Sequence, residues 1–433
     1  MSHYARSVGQ GALADVLRRH AAAYDVPGAA LGILVGGRPV TAYHGVADVV
    51  SRRPVTAVTR FGIGSLTKTM VASAVAVLAA AGGLSLDDPV ASRVPELQLC
   101  AWARTATLRD LMANRSPVPL WSALEFGFDE HRDGDDQALS RLLQEVAREA
   151  SSSGAHWSYS NVGWCVLGRA VETATGRTWE EAMRSLLEPA GLSRTWWATR
   201  SSTVRAVGHE PSAQGPRPVE PLLSRAYGPA GTTTVSTLED LLRYAAWHLS
   251  EPALAPLRLL HADVAVHGWF DAWCLGLARF DWEDATAWGW DGIVHGERSV
   301  LRVLPEQQGA VVVLANGSAG RALARAVLPE VVPEWYGVGV APLRLTRTPD
   351  ASEDLTPYAG TYGWPDRLVD VTATARGLVV TEDGIPGEAV PLDRRTFLLD
   401  RADPDRPTIT FADFDHAGRP GVLYDVVWGL PRL

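Results

Sequence analysis

Lysine is almost missing from this chain of 433 residues: of its 40 basic residues, only Lys68 is not arginine. Cysteine is nearly as rare. Cys100, Cys165 and Cys274 are odd in number and form no C-x-x-C pair, which excludes a disulfide framework. No histidine cluster has metal-ligand spacing either, so a structural zinc is excluded, and nothing calls for a metal or another cofactor. There is no run of five basic residues, and the net charge is −9, which argues against nucleic acid or an anionic membrane surface as partner. The first twenty residues contain no apolar h-region. The apolar uncharged run from Thr69 to Leu86 is Ala-rich, carries Gly82–Gly83 and has 18 residues, too short and weak to span a bilayer. These absences predict a cytoplasmic protein. Also missing is a G-x-S-x-G elbow, and none of the eleven histidines stands in a triad context, which excludes the common serine-hydrolase arrangements.

What is present describes an ordinary globular chain, 46% hydrophobic and 21% charged, long enough for two or three domains. A helical pattern over 10–24 leads to two strand-like runs, 29–35 and 39–47, separated by Gly36–Gly37 in the manner of a hairpin. A helix near 66–81 is apolar on all sides, as a buried helix is. A mainly helical stretch from about 86 to 260 follows. Strands return at 270–280, 298–304 and 310–315, and a helix over 319–328 closes the unit. The order predicts an α/β (α+β) fold: an antiparallel sheet completed by both ends of the unit, flanked by helices, with a helical domain inserted. Residues 336–354 read as a linker between a domain at 1–335 and a second one at 355–433. In the latter, short runs at 368–373, 378–381, 396–399, 408–411 and 423–428 predict a small all-β barrel.

The setting of the one lysine points to chemistry. Lys68 stands in FGIGSLTKTM, three residues after Ser65, at the start of the buried helix. Residues i and i+3 share a helix face, so amine and hydroxyl come within reach of each other. The positive end of a helix favours an oxyanion and lowers a nearby amine pKa. A neutral lysine there can take the serine proton and activate the nucleophile, which arginine cannot do. Farther along, Tyr159-Ser160-Asn161 supplies a phenol able to pass a proton and an amide able to hold a lysine and an acyl group. Cys165, just after it, reads as a buried apolar residue.

Together these residues resemble the serine β-lactamase and penicillin-binding-protein superfamily, especially its class C-like, family VIII esterase and penicillin-binding-protein-type thioesterase branches. The resemblance spans about 10–330 and includes GPAGTTTVSTLEDLLRYAAW (228–247) and GWDGIVHGERSVLRVLPEQQGAVVVLANG (289–317). The region 355–433 resembles the lipocalin-like domain appended to many members. By position, the resemblance implies Ser65 as nucleophile, Lys68 as its base, Tyr159 as proton relay and Asn161 as the residue orienting Lys68 and substrate. It implies an oxyanion hole made by the backbone N–H groups of Ser65 and Ile293.

Departures from the family pattern bear on substrate. Where many relatives have K-T-G or H-x-G, this chain has Trp290-Asp291-Gly292, similar to the W-G-G of some family VIII esterases. No cation stands there for a carboxylate, which argues against β-lactams, though Arg298 is near enough in sequence to replace it. Trp290 and Trp288 are expected to wall an aromatic pocket; Trp157 and Trp164 are expected in the core. His295 is assigned no role, and ANRSPVP (113–119) replaces the family's H-T-S-G-L-P loop. The function implied is a serine acyl-enzyme hydrolase of an ester or amide of a small molecule or short peptide. Its alternatives are an acyltransferase or peptide cyclase, with the acyl substrate delivered free or by a carrier protein, and a non-catalytic binder on the same scaffold.

Overall fold

The computed structural model describes residues 3–116, 130–148, 156–197, 204–220, 224–262, 266, 269–340, 354–364, 367–400 and 408–433. Most of the expected linker, and the second half of the 113–119 loop, lie outside these residues. The sheet hairpin forms as the glycine pair predicts. β1 (Gly28–Val35) and β2 (Arg38–Gly45) are joined by Gly36 and Gly37 at φ 55° and 73°, values that suit glycine. Five more strands complete an antiparallel sheet: β3 (Ala272–Trp273), β4 (Ala278–Trp282), β5 (Ala285–Val294), β6 (Glu297–Leu304) and β7 (Gly309–Ala315). Their order is β2-β1-β7-β6-β5-β4-β3, so the two ends of the unit meet at β1 and β7.

Alternation along the strands assigns each side chain to one of two faces. Gly32, opposite Val312, lies under Leu238 and Leu242 of helix α4 (Leu238–Ser250), where a Cβ would fall within 2.9 Å of both. Arg298 and its partner Ala315 lie against Gly320, the first residue of helix α5 (Gly320–Tyr336). Trp290 and Gly292, opposite Leu301 and Ser299, therefore share the α4 face, and Asp291 and Arg298 share the α5 face. On the α5 side, α1 (His3–Ala23) packs against α5 and β2. On the other lie α2 (Thr67–Ala80), buried all round as its apolar sequence predicts, and α3 (Asn161–Thr175). Among the described residues no helix is long and apolar enough to cross a membrane.

One boundary differs from the sequence pattern. Pro329 and Pro333 each remove a helical hydrogen bond, which suggests an end before them, yet α5 runs on to Tyr336. Burial of Val331 and Val332 against the sheet unit outweighs the lost bonds, and the Tyr336 hydroxyl fastens the end by donating toward the Leu34 and Ala310 carbonyls.

The C-terminal unit has eight antiparallel strands in sequence order: β8 (Gly360–Trp364), β9 (Arg367–Ala373), β10 (Leu378–Glu382), β11 (Ile385–Pro391), β12 (Thr396–Leu399), β13 (Thr408–Phe414), β14 (Pro420–Asp425) and β15 (Trp428–Pro431). A bridge from Tyr362 to Arg432 nearly closes it into a barrel. Tyr358, Tyr362, Phe397 and Phe411 fill the interior, with rings such as Tyr358 and Phe411 5.0 Å apart, so it is a packed core. One strand assignment needs correction. The run 423–428 is not one strand but the end of β14, a turn at Val426–Val427 and the start of β15.

Candidate active site

Ser65 lies in a 3₁₀ turn, Gly64–Leu66, that feeds directly into α2. Lys68, one turn on, is completely buried, and its Nζ is 3.0 Å from Ser65 Oγ. Burial lowers the amine from its ordinary range to about 7. At neutral pH a large fraction of Lys68 is therefore uncharged and able to accept a proton. Neighbouring Cys165 has its thiol pushed up to about 12 by burial and stays neutral.

Nζ also donates to the Ala230 carbonyl at 2.5 Å. Here the structure differs from the role implied for Asn161. That residue opens α3, and among the described residues it is not a hydrogen-bond partner of Lys68; a backbone carbonyl stands in its place. No side chain could have marked this partner in the sequence. Its one signal is Gly231, at φ 115°, where a Cβ would sit 2.1 Å from the Gly64 carbonyl oxygen. Only glycine lets the 228–234 segment press against the Ser65 turn.

Tyr159 is held just ahead of α3, whose N-cap Ser160 accepts from the Gly163 N–H at 3.0 Å. The Tyr159 ring lies 5.0 Å from Lys68 Nζ. Its hydroxyl has two polar neighbours, the Ser65 hydroxyl and the Trp290 indole N–H, the latter at 3.1 Å. Burial drives the phenol pKa upward against these hydrogen bonds, so the group is a neutral donor and acceptor.

β5 supplies the backbone side of the site. A Cβ on Gly292 would fall 1.8 Å from the Ile63 carbonyl oxygen, so glycine lets the strand touch the Ser65 turn. His295 and Gly296, at φ 40° and 75°, form a two-residue turn between β5 and β6; His295 is a turn residue. Pairing alternates from that turn, which makes Ile293–Arg298 the wide pair and points the Ile293 amide away from β6. β4 pairs with β5 no farther than Gly289, so this edge is open to Gly64. A Cβ on Gly64 would be 2.7 Å from Ile293 N. The Ser65 N–H, at a helix start, has no intrahelical partner. Two amides thus meet beside one hydroxyl.

The expected pocket walls are placed otherwise. Trp290 is 2% exposed and is packed among Tyr159, Phe270 and Trp273, the last at 4.9 Å and edge-on. It supports Tyr159 from behind. Trp288 lies about 13 Å along the strand from Gly292, beside His248 and Arg258. Asp291 faces α5, paired with Arg302 at 2.6 Å and Arg321 at 3.2 Å. Arg298 lies on that same far face, against Gly320. Strand alternation, with its period of two, takes both charges out of the site. Trp157 and Trp164 are in the core.

Sequence reasoning also missed Glu297. It is buried, accepts the Gly62 N–H at 2.8 Å and lies 3.5 Å from Arg205. Burial pushes its carboxyl up to about 7. It ties the β5–β6 hairpin to the segment leading into Ser65.

The family model Beta-lactamase matches residues 13–330. Penicillin-binding protein 4 of Amycolatopsis lactamdurans is 31% identical over 376 residues, 80% of this chain and 95% of that protein. The chain belongs to the beta-lactamase family. Its superfamily is one of serine hydrolases and acyltransferases, and the chain is an enzyme of that superfamily. Among solved structures, SurE has a TM-score of 0.80 at 28% identity, covering 99% of both chains. SurE with D-Leu gives 0.79 and 27%, covering 99% of this chain and 100% of that one. The octameric penicillin-binding protein homologue from Pyrococcus abyssi has a TM-score of 0.66 at 21% identity, over 97% of this chain and 99% of its own, and shares the fold.

Proposed function

We propose that the protein is a serine acyl-enzyme catalyst that accepts the acyl group of an ester, thioester or amide of a small molecule or short peptide on Ser65. The observation that carries this reading is the 3.0 Å approach of a fully buried Lys68 amine to Ser65 Oγ. Neutral Lys68 takes the Ser65 proton as Oγ attacks the acyl carbon. The oxyanion is received by the Ser65 and Ile293 N–H groups, each worth a few kcal/mol at such a site. Tyr159 passes the proton from Lys68 to the leaving group. Water then enters by the reverse relay and releases the acid, restoring Ser65. Asn161, at the start of α3, is proposed to hold the acyl amide or carbonyl.

In a second reading an amine takes the acyl group in place of water, as in an acyltransferase or peptide cyclase supplied free or by a carrier protein. The end-to-end likeness to SurE, one structure of which was determined with D-Leu, favours it. One experiment tests both. One sample of the protein is labelled with a fluorophosphonate; a second, unlabelled sample is given a p-nitrophenyl ester and a peptidyl N-acetylcysteamine thioester, and the products are weighed by mass spectrometry. Label on Ser65 with free acid as product supports hydrolysis; cyclic or amine-linked product supports transfer. A wild type that is neither labelled nor active leaves a binder on this scaffold.

A further inference from the structure

Three consecutive residues of the Tyr159 segment are held by the barrel. The Tyr159 backbone N–H donates to the Val427 carbonyl at 3.0 Å. The Gly429 N–H donates to Ser158 Oγ at 3.0 Å. The Tyr424 ring packs on Trp157 with centroids 5.9 Å apart. One residue earlier, His156 meets Asp413 of β13 at 2.9 Å. From the catalytic side, the Asn114 carbonyl accepts the Ser158 N–H at 2.9 Å. The segment carrying the phenol is clamped between the two units.

The β14–β15 turn that makes these contacts is built unlike other hairpin tips. Such tips are ordinarily exposed and use glycine, asparagine or aspartate at positive φ. Here Val426 and Val427 are 3% and 4% exposed, and Val426 has φ 60°, a conformation that β-branched residues avoid. A strained residue persists where its surroundings over-determine it. Those surroundings belong to the catalytic unit: Val422, Tyr424, Val426 and Val427 join its core rather than the barrel's. The base of the turn is fixed too. Asp425, 1% exposed, pairs with Arg367, which also reaches Glu382 at 2.6 Å. At Gly429 a Cβ would lie 2.6 Å from the Trp157 carbonyl oxygen, so only glycine allows this approach.

We infer that the Val426–Gly429 turn is a working part of the catalytic centre, setting the Tyr159 hydroxyl against Ser65 and Lys68, with Ser158 and Gly429 as positioning residues. This rests on the assignment of Tyr159 as proton relay. Its rival is a barrel that only stabilises the chain.

The test uses the full-length chain. Gly429→Ala pushes the turn off Trp157, Ser158→Ala deletes the acceptor, and Ser158→Thr restores it. Reactive Ser65 is titrated to completion with a fluorophosphonate, so that turnover of a p-nitrophenyl ester is counted per titrated site. The expected result is a kcat per site at least tenfold lower in Gly429→Ala and at least threefold lower in Ser158→Ala, with KM within twofold and most of the rate recovered in Ser158→Thr. If Gly429→Ala does not fold, the Ser158 pair carries the test. A barrel that only stabilises the chain lowers the melting temperature and the titratable fraction but leaves kcat per site within twofold of wild type, and that outcome overturns the inference alone. A wild type that does not label at Ser65 overturns the reading of the site, and this inference with it.

Discussion

The indole N–H of Trp290 donates to the hydroxyl of Tyr159 at 3.1 Å, with both side chains buried. A donor on the phenol oxygen leaves the phenol's own proton free to point at Ser65 or Lys68. Trp290→Phe keeps much of the ring packing and removes this donor. An unmade bond at a buried hydroxyl costs about 1–1.5 kcal/mol, which is roughly tenfold in rate. Steady-state kinetics on an aryl ester should therefore show kcat down about tenfold with KM little changed. An unaltered kcat would reduce Trp290 to filler.

In the proposed mechanism Lys68 sets the pH dependence. Its amine, lowered by burial to about 7, is protonated below that value and cannot act as base, so acylation should rise with pH through about 7 and then level. Glu297, raised by burial to about 7, titrates in the same range. Glu297→Gln keeps an acceptor for Gly62 and removes that titration, so the limb in this variant should stay near 7. If the limb moves or disappears, Glu297 and not Lys68 governs it. Lys68→Arg, which retains charge but cannot be the base, should lose acylation altogether in fluorophosphonate labelling.

Gly231→Ala tests the backbone partner of Lys68. At φ 115°, with a Cβ only 2.1 Å from the Gly64 carbonyl oxygen, alanine must displace either the Ser65 turn or the Ala230 carbonyl. Misplacement of this order at a reacting centre costs on the order of 100-fold. The rate of Ser65 labelling should fall by about that much in a protein whose circular dichroism matches wild type. Labelling at the wild-type rate would mean that the carbonyl is not needed.

Legibility from sequence followed the range of each interaction. Ser65 and Lys68 share a helix turn, and the spacing of three is enough to bring them together. The β1–β2 hairpin is written in its two glycines. Trp290, Asp291 and Arg298 went astray because contact with a site depends on which face of the sheet a residue takes, and face is set by register with β6 and β7. Backbone partners, the Ala230 and Val427 carbonyls, carry no side-chain signature at all. The high strand propensity of Val426–Val427 predicts continuous strand across the β14–β15 turn; burial against the catalytic unit, a tertiary effect, turns the chain there.

Asp291 offers the sharpest separation of folding from catalysis. Burial works against its ionisation, but the Arg302 and Arg321 guanidiniums outweigh that and hold its carboxyl below the ordinary value. A depressed carboxyl contributes stability that is present above the unfolded-state pKa and is lost as pH falls through the folded one. Removing one partner of a buried ion pair costs about 3–5 kcal/mol, because the remaining charges lie uncompensated in the core. Asp291→Asn should therefore lower unfolding free energy by about 3 kcal/mol in urea at pH 7, with the deficit shrinking in acid. Since the carboxylate lies on the α5 face, kcat per titrated Ser65 should change by less than threefold. A large loss of per-site activity with little loss of stability would return Asp291 to the reacting side of the sheet and contradict the register of β5 and β6.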